Sequence, residues 1–358
     1  MHCFVFASPV QPADESKQCI GWLLSGSAPA ENRAAMDNTF HRPGKVLEGI
    51  SRLYCSPDIM KIIVSGASGL VGSALVPHLE QAGHEVVRLV RSSGAAGSGA
   101  IQWDPANRQL DPSAISGADA VVNLNGRSIA DGRWNDEVKA ELRSSRIDST
   151  QTITEAISAA EKPPGVLVNA SAVGFYGDRG DEVLDEASTA GGDFLAGLCR
   201  DWEAAAFAAA SDQTRVAAVR LGMVVADGGA LDRMLLPFKL GFGGPIGSGR
   251  QFWPWIGLDD VVGSIQFLIE NDTISGPVNL VAPHETRCKE FAQTLGSVLR
   301  RPAFMPAPAF AVRAALGEMA DALLLASQRV QPQALVDAGY QFREPELDGA
   351  IRTALGKR

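Results

Sequence analysis

A β-branched run, Ile62-Ile63-Val64, stands directly before Gly66-Ala-Ser68-Gly69-Leu70-Val-Gly72, where three glycines follow the spacing GxxGxxG. A strand that ends in a tight bend and restarts at once as a helix needs glycine at three distinct places. Gly66 permits the bend, Gly69 lets backbone approach a pyrophosphate with no Cβ in the way, and Gly72 lets the helix lie close on the strand. Backbone amides of the turn and first helical residues, among them Ser68 and Leu70, then face an anion favoured by the helix dipole. A helical stretch with Leu75 and Leu79 runs to Gly83, and Glu85-Val-Val-Arg-Leu-Val-Arg91 follows as a second strand. The unit closes in about thirty residues, as a dinucleotide-binding βαβ requires.

The end of the second strand bears on which dinucleotide binds. A carboxylate there accepts from the ribose 2′-hydroxyl of NAD, whereas a 2′-phosphate needs a cation. The position carries Arg91, followed by Ser92 and Ser93. A guanidinium grips phosphate bidentately, so the expected cofactor is NADP, with NAD the lesser choice.

The 358 residues, 46% hydrophobic, suffice for a full core and a second, smaller unit. A net charge of −9 without any basic run argues against a nucleic-acid surface. Cys3, Cys19, Cys55, Cys199 and Cys288 are odd in number, scattered and never in CxxC spacing. That usage fits a reducing cytoplasm and neither a disulfide scaffold nor a metal site. No apolar stretch reaches the length of a membrane span, so no membrane partner is expected. Residues 1–59 show no sustained period and lack the basic start of a secretory signal; they read as a disordered extension or an over-extended start, with Met60 opening the first strand.

Two later strands end in small polar residues. Asp119-Ala-Val-Val-Asn123-Leu-Asn125-Gly126 and Gly165-Val-Leu-Val-Asn169-Ala170-Ser171 place their tips where a doubly wound sheet lines its ligand crevice. Asn123, Asn125, Gly126 and Ala170 are therefore expected beside the cofactor. Gly94 to Gly99 reads as a flexible loop, Arg215 to Val225 as one buried strand, and Asp259-Asp260 as the capped start of a helix.

Taken with Ser145-Arg146 and Thr150 on a helix, and with Trp253-Pro-Trp255-Ile-Gly257-Leu-Asp259-Asp260, these tips resemble the extended short-chain dehydrogenase/reductase superfamily. Within it the chain is similar to the atypical epimerase-like branch from Met60 almost to the C-terminus. The resemblance implies an α/β, Rossmann-like doubly wound sheet over 60–225 and a smaller α-rich substrate lobe with a C-terminal helical domain over 226–358. It also implies Arg146 at the cofactor.

One departure from that pattern stands out. The superfamily uses a Tyr-x-x-x-Lys pair on the helix after the serine strand. When Glu203 is registered on the usual acidic residue, Leu195 falls where the tyrosine belongs and Cys199 where the lysine belongs. Ser171 and Tyr176 are the remaining candidates to polarise a substrate oxygen, Tyr176 as a hydrogen-bond donor or else as a packed amphipathic ring. Cys199 reads as core. In the second half, Gly241 to Gln251 is a glycine-rich loop. Resemblance to sugar-nucleotide epimerases makes Arg250 and Lys239 phosphate contacts, with solvated surface charge as the other reading. Phe252, Trp253 and Trp255 wall an apolar pocket or pack a hinge. Ala311 to Leu325 reads as one apolar helix, Gln328 as the start of another, and Tyr340 to Phe342 as strand-like.

The expected activity is that of an NADP-dependent oxidoreductase or epimerase on a carbonyl, alcohol or nucleotide sugar, without a metal. The competing expectation is a non-catalytic NADP sensor or scaffold. The expected partner is a small-molecule substrate, and a homodimer is compatible with the sequence.

Overall fold

Strands that are apolar at every position can be stable only if both faces of the sheet are covered. Ala120–Asn123 up to its terminal asparagine and most of Val166–Ala172 are of this kind, and both strands are buried except at half-buried Ala172. In the computed structural model, which describes residues 59–91 and 99–357, they lie at the centre of a seven-stranded sheet. The expectations for residues 1–58 and for most of the loop at 94–99 fall outside the described residues.

The sheet consists of β1 (Lys61–Ser65), β2 (Glu85–Val90), β3 (Ala100–Gln102), β4 (Ala120–Asn123), β5 (Val166–Ala172), β7 (Arg215–Leu221) and β10 (Gly276–Leu280). Its order is β3-β2-β1-β4-β5-β7-β10, with every neighbouring pair parallel. Connections leave β1 toward β2 on one side and return to β4 on the other. The crevice beyond Ser65 and Asn123, which pair in register, is therefore the topological switch point.

Alternation along β1 shows how the layers form. Ile62 and Val64 face α1 (Leu70–Gln81) and α6 (Leu258–Glu270), while Ile63 faces α3 (Asp136–Ala159) and the end of α4 (Phe194–Phe207). A further core gathers Leu231, Leu235 and Phe238 of α5 (Gly229–Lys239), Trp253, Trp255, α7 (Cys288–Leu299) and α11 (Leu347–Ala354).

Five local expectations are corrected. The single strand at 215–225 is two, because Gly222 bends the chain where a Cβ would stand 2.9 Å from the Pro254 carbonyl oxygen. Met223–Val225 (β8) then leaves the main sheet and pairs with Trp255–Gly257 (β9). The apolar helix at 311–325 is broken at Gly317, whose φ of 64° admits glycine readily, into α8 (Ala309–Leu316), α9 (Glu318–Ala320) and a π-turn over Asp321–Leu325. A short strand, β11 (Arg329–Val330), precedes α10 (Gln333–Asp337) and pairs with β6 (Val183–Leu184). Tyr340 to Phe342 is not a strand; its aromatic rings stack on Phe267 of α6 and on each other.

Asp260 supplies the fifth correction. The residue that caps α6 is Gly257, with no side-chain bond. Asp260 is buried one turn in, where its carboxylate accepts from the backbone amides of Arg343 (2.7 Å) and Glu344 (2.9 Å) and from the Tyr340 hydroxyl (3.1 Å). It fastens the C-terminal segment to the nucleotide-fold helix.

Candidate functional site

The glycine turn has three different local environments. Gly66 has φ of 73°, and a Cβ on it would meet the Leu124 backbone at 2.7 Å. At Gly72 an added Cβ would stand 2.2 Å from the Gly66 carbonyl oxygen, so helix and turn touch there without side-chain space. Gly69 differs: its nearest neighbour would be the Gly66 oxygen at 3.4 Å, an ordinary contact, and the rest of its surroundings are open. Two glycines are thus required by the fold and the third leaves room above the turn. Leu70 is roofed by Gly228 and Gly229 at the start of α5, both with positive φ, and Ser68 is exposed at the bend.

Behind the turn, strand tips are fastened to one another. Ser65 Oγ donates to Asn123 Oδ1 at 2.7 Å, and Asn123 Nδ2 donates to Asn169 Oδ1 (2.7 Å) and lies 2.9 Å from Thr150 Oγ1. The Trp202 indole nitrogen completes the set by donating to Thr150 at 2.9 Å. Asn123 is fully buried, so it shapes the crevice from beneath, and Ala170 is likewise enclosed.

The crevice side of the same tips is not satisfied. Asn125 Nδ2 is buried and, among the described residues, has no hydrogen-bond partner. Next to it, exposed Gly126 lies over the Arg146 guanidinium, where a Cβ would come within 3.2 Å of Cζ. Arg146 donates to the carbonyls of Leu142 and Arg127 (both 3.0 Å) and packs on the Trp202 ring, but no carboxylate pairs with it among the described residues. Burial lowers its pKa from the ordinary arginine value, yet a guanidinium keeps its proton in proteins. A buried amide donor without an acceptor, beside a cation without a counter-ion, is what a phosphate- and amide-bearing dinucleotide fits. Arg91 stands exposed at the end of β2.

The second strand tip is different. Ser171 Oγ donates to Glu203 Oε1 at 2.6 Å. Arg220 of β7 forks onto the same carboxylate through Nε and Nη2, both at 2.9 Å, and its Nη1 donates to the Tyr176 hydroxyl at 2.9 Å. Tyr176 donates to Asn279 Oδ1 at 2.7 Å, is fully buried, and has its pKa pushed up to about 12, mainly by burial. Where the sequence suggests a phenol beside a substrate, the structure encloses it in protein. Leu195 and Cys199 lie one turn apart on α4, both within contact of the space beside Gly174. Burial raises the Cys199 thiol to about 12, which removes it as a base near neutrality.

The residues expected at the substrate are scattered in environment. Lys239 and Arg250 are exposed. Trp255 is core, 1% exposed, with its indole nitrogen donating to Thr286 Oγ1 at 2.9 Å. Phe252, Trp253 and Trp255 line only a crevice of about 10 Å³, room for roughly one water. Sequence reasoning missed Arg220, whose signal was an arginine inside the apolar run Val216–Leu221, and the clamp of Arg233 on Asp131 (2.9 Å), which joins α5 to the loop after β4. Among the described residues no group of three or more His, Cys, Asp or Glu is arranged to hold a metal ion, and no helix is long and apolar enough to cross a membrane.

Comparison with known proteins agrees with this geometry. The epimerase family protein MT2273 of Mycobacterium tuberculosis is 44% identical over 293 residues, 81% of this chain and 96% of that protein. A crystal structure of human epimerase family protein SDR39U1 (isoform 2) with NADPH superposes with a TM-score of 0.78 at 38% identity, over 84% of this chain and all of that one. A nucleoside-diphosphate sugar epimerase structure from Corynebacterium glutamicum follows at 34% identity and a TM-score of 0.70, over 87% of this chain and 62% of that one. Residues 307–354 match a domain of unknown function (DUF1731). Residues 62–280 match the NAD dependent epimerase/dehydratase family, and the chain belongs to that family.

Proposed function

We propose that the crevice at the switch point holds NADP(H) and that the chain is an oxidoreductase or epimerase acting on a carbonyl, an alcohol or a nucleotide sugar. The observation that carries this reading is the unmet donor Asn125 Nδ2, with the Arg146 guanidinium held nearby on carbonyls and without a carboxylate, beside the open face of Gly69. NADPH in the human relative's crystal structure supports the same cofactor here. In this reading Gly66, Ser68, Gly69 and Leu70 cradle the pyrophosphate, with Gly72 holding the helix in place. Arg91 reads the 2′-phosphate. Asn125, Gly126 and Arg146 meet the remaining polar atoms, while Asn123 and Ala170 form the floor.

When bound, the nicotinamide supplies or accepts a hydride. The protein's part is to bind, orient and handle a proton. Because Ser171 gives its own proton to Glu203, its oxygen presents lone pairs and suits a substrate hydroxyl; polarising a carbonyl requires the Ser171 hydroxyl to swing off Glu203. Tyr176 acts in support, holding Arg220 against Glu203. Lys239 and Arg250 are the proposed phosphate contacts and Trp255 a buried support for their lobe. The free, buried thiols of Cys199 and Cys288 fit a reducing compartment such as the cytoplasm.

A second reading has its own observation. With leucine and a buried cysteine at the positions of the usual dyad, the fold can bind NADP as a sensor without turnover. Calorimetric titration with NADPH and NADH, followed by a screen of carbonyls and nucleotide sugars, separates the cases. Tight NADPH with turnover supports the enzyme, tight NADPH without any turnover supports the sensor, and no binding of either nucleotide refutes both.

A further inference from the structure

A helix that is apolar on all sides belongs in a core or at a lipid surface. α8, Ala-Phe-Ala-Val-Arg-Ala-Ala-Leu over 309–316, has seven apolar residues of eight, and none of them is buried. It does not stand alone. Six of the nine large apolar side chains exposed among the described residues are Leu236, Leu240, Phe242, Phe304, Met305 and Phe310, each at least 44% exposed.

Backbone contacts join them into one face. Phe242 N donates to the Pro237 carbonyl at 2.9 Å, Met305 N to the Gly243 carbonyl at 3.2 Å, and Ala307 N to the Pro245 carbonyl at 2.9 Å. Gly244 makes that approach possible, since a Cβ there would stand 2.0 Å from the Met305 carbonyl oxygen. Phe310 opens α8 three residues after Ala307, which bridges Ile246. The six side chains expose on the order of 600 Å² of apolar surface, more than single scattered residues explain.

Charge selects the occupant. The two segments that carry the face, 232–244 and 300–313, hold Arg233, Lys239, Arg300, Arg301 and Arg313 against the single acid Asp232. That is net +4 in a chain of net −9. Arg233 and Arg313 have acidic partners in Asp131 and Asp321 outside these segments, and Lys239 is the proposed substrate contact, which leaves Arg300 and Arg301 as exposed cations without an ion pair among the described residues. A second copy of the chain meeting this face on a two-fold axis would oppose positive charge to positive charge. An anionic bilayer meets both features, taking the aromatic and aliphatic side chains into its interface and the cations at its headgroups.

We propose that the face built by Leu236–Phe242, Phe304–Met305 and α8 is a peripheral docking surface for anionic phospholipid bilayers. It would replace the expectation that the chain has no membrane partner with surface attachment and no span. The face lies on the second lobe, at the opposite end of α5 from the Gly228–Gly229 turn that roofs Leu70.

The test is co-sedimentation of the full chain with vesicles of phosphatidylcholine alone and of phosphatidylcholine mixed with phosphatidylglycerol, at low and high salt. Binding is expected to the anionic vesicles only and to fall with salt. Arg300→Ala with Arg301→Ala should lower the partition coefficient about fivefold per cation removed. Phe304→Ser with Phe310→Ser should lower it at least tenfold. All four side chains are exposed, so the melting temperature should be unchanged in both variants. Failure to bind either vesicle, or equal binding to both that the arginine variant does not alter, overturns the proposal. So does a concentration-dependent dimer in analytical ultracentrifugation that the phenylalanine variant abolishes, because the face would then be a self-interface.

Discussion

The tips of β4 and β5 lie side by side in the sheet and are built from similar residues, yet they are finished in opposite ways. At the β4 tip, Asn125 Nδ2 is buried without an acceptor and the Arg146 guanidinium, held on two carbonyls, has no carboxylate partner among the described residues, beside an open glycine turn. At the β5 tip, Ser171, Glu203, Arg220, Tyr176 and Asn279 satisfy one another. Unmet donors cost stability until a ligand meets them, whereas a closed network contributes to stability and resists a ligand. The first tip is where the proposed function places the cofactor. The second, where the usual acid–base pair is missing, is a closed network from which, in the proposed function, only the Ser171 hydroxyl turns to the substrate.

The strongest way to break this contrast is at Glu203. Glu203→Ala strands the buried Arg220 guanidinium and should cost about 3–5 kcal/mol in denaturant unfolding. A loss near zero would mean that the network is not structural. On the binding side, Arg91→Ala should weaken NADPH by about 1.5–3 kcal/mol, roughly 10- to 100-fold, and leave NADH unaltered in calorimetry. Equal losses for the two nucleotides would remove Arg91 from the 2′-phosphate.

The glycines sharpen the contrast within one turn. Gly72→Ala forces a Cβ against the Gly66 carbonyl and should lower stability by about 1–3 kcal/mol. Gly69→Ala meets nothing closer than 3.4 Å and should melt within about 0.5 kcal/mol of the parent, while losing NADPH affinity. Parallel losses of stability in both variants would contradict an open face at Gly69.

The smallest effect is one of pH. The Tyr176 phenol ionises at 10.0 in the unfolded chain and at about 12 in the folded one. Between those values the native state keeps a proton that the unfolded state has released, so its contribution is intact below pH 10 and is lost as pH rises toward 12. Tyr176→Phe should flatten the alkaline decline of stability by up to about 1.4 kcal/mol per pH unit over that window. An unchanged slope would show that the phenol titrates freely and is not enclosed.

Much of this molecule is readable from local pattern. The β-branched run before GxxGxxG determined the first βαβ unit, because strand, bend and close helix contact each impose a residue type on a fixed position. The apolar centres of β4, β5 and β7 likewise mark a sheet covered on both faces. Helix breaks were harder to read: apolar composition is continuous through Ala311 to Leu325, and only the positive φ at Gly317 divides it. Asp260 shows the same limit, since a carboxylate near a helix start caps by default and its actual partners, Arg343 and Glu344, lie more than eighty residues away.

The sequence by itself determined a dinucleotide fold, its switch point and the loss of the Tyr-x-x-x-Lys pair, all properties of spacing and residue type within short windows. Only the tertiary structure decided that Tyr176 and Trp255 are enclosed, that Asn125 Nδ2 lacks an acceptor and Arg146 a counter-ion among the described residues, and that α8 lies on the surface. Burial and hydrogen-bond satisfaction depend on which distant segments meet, and no local pattern encodes that meeting.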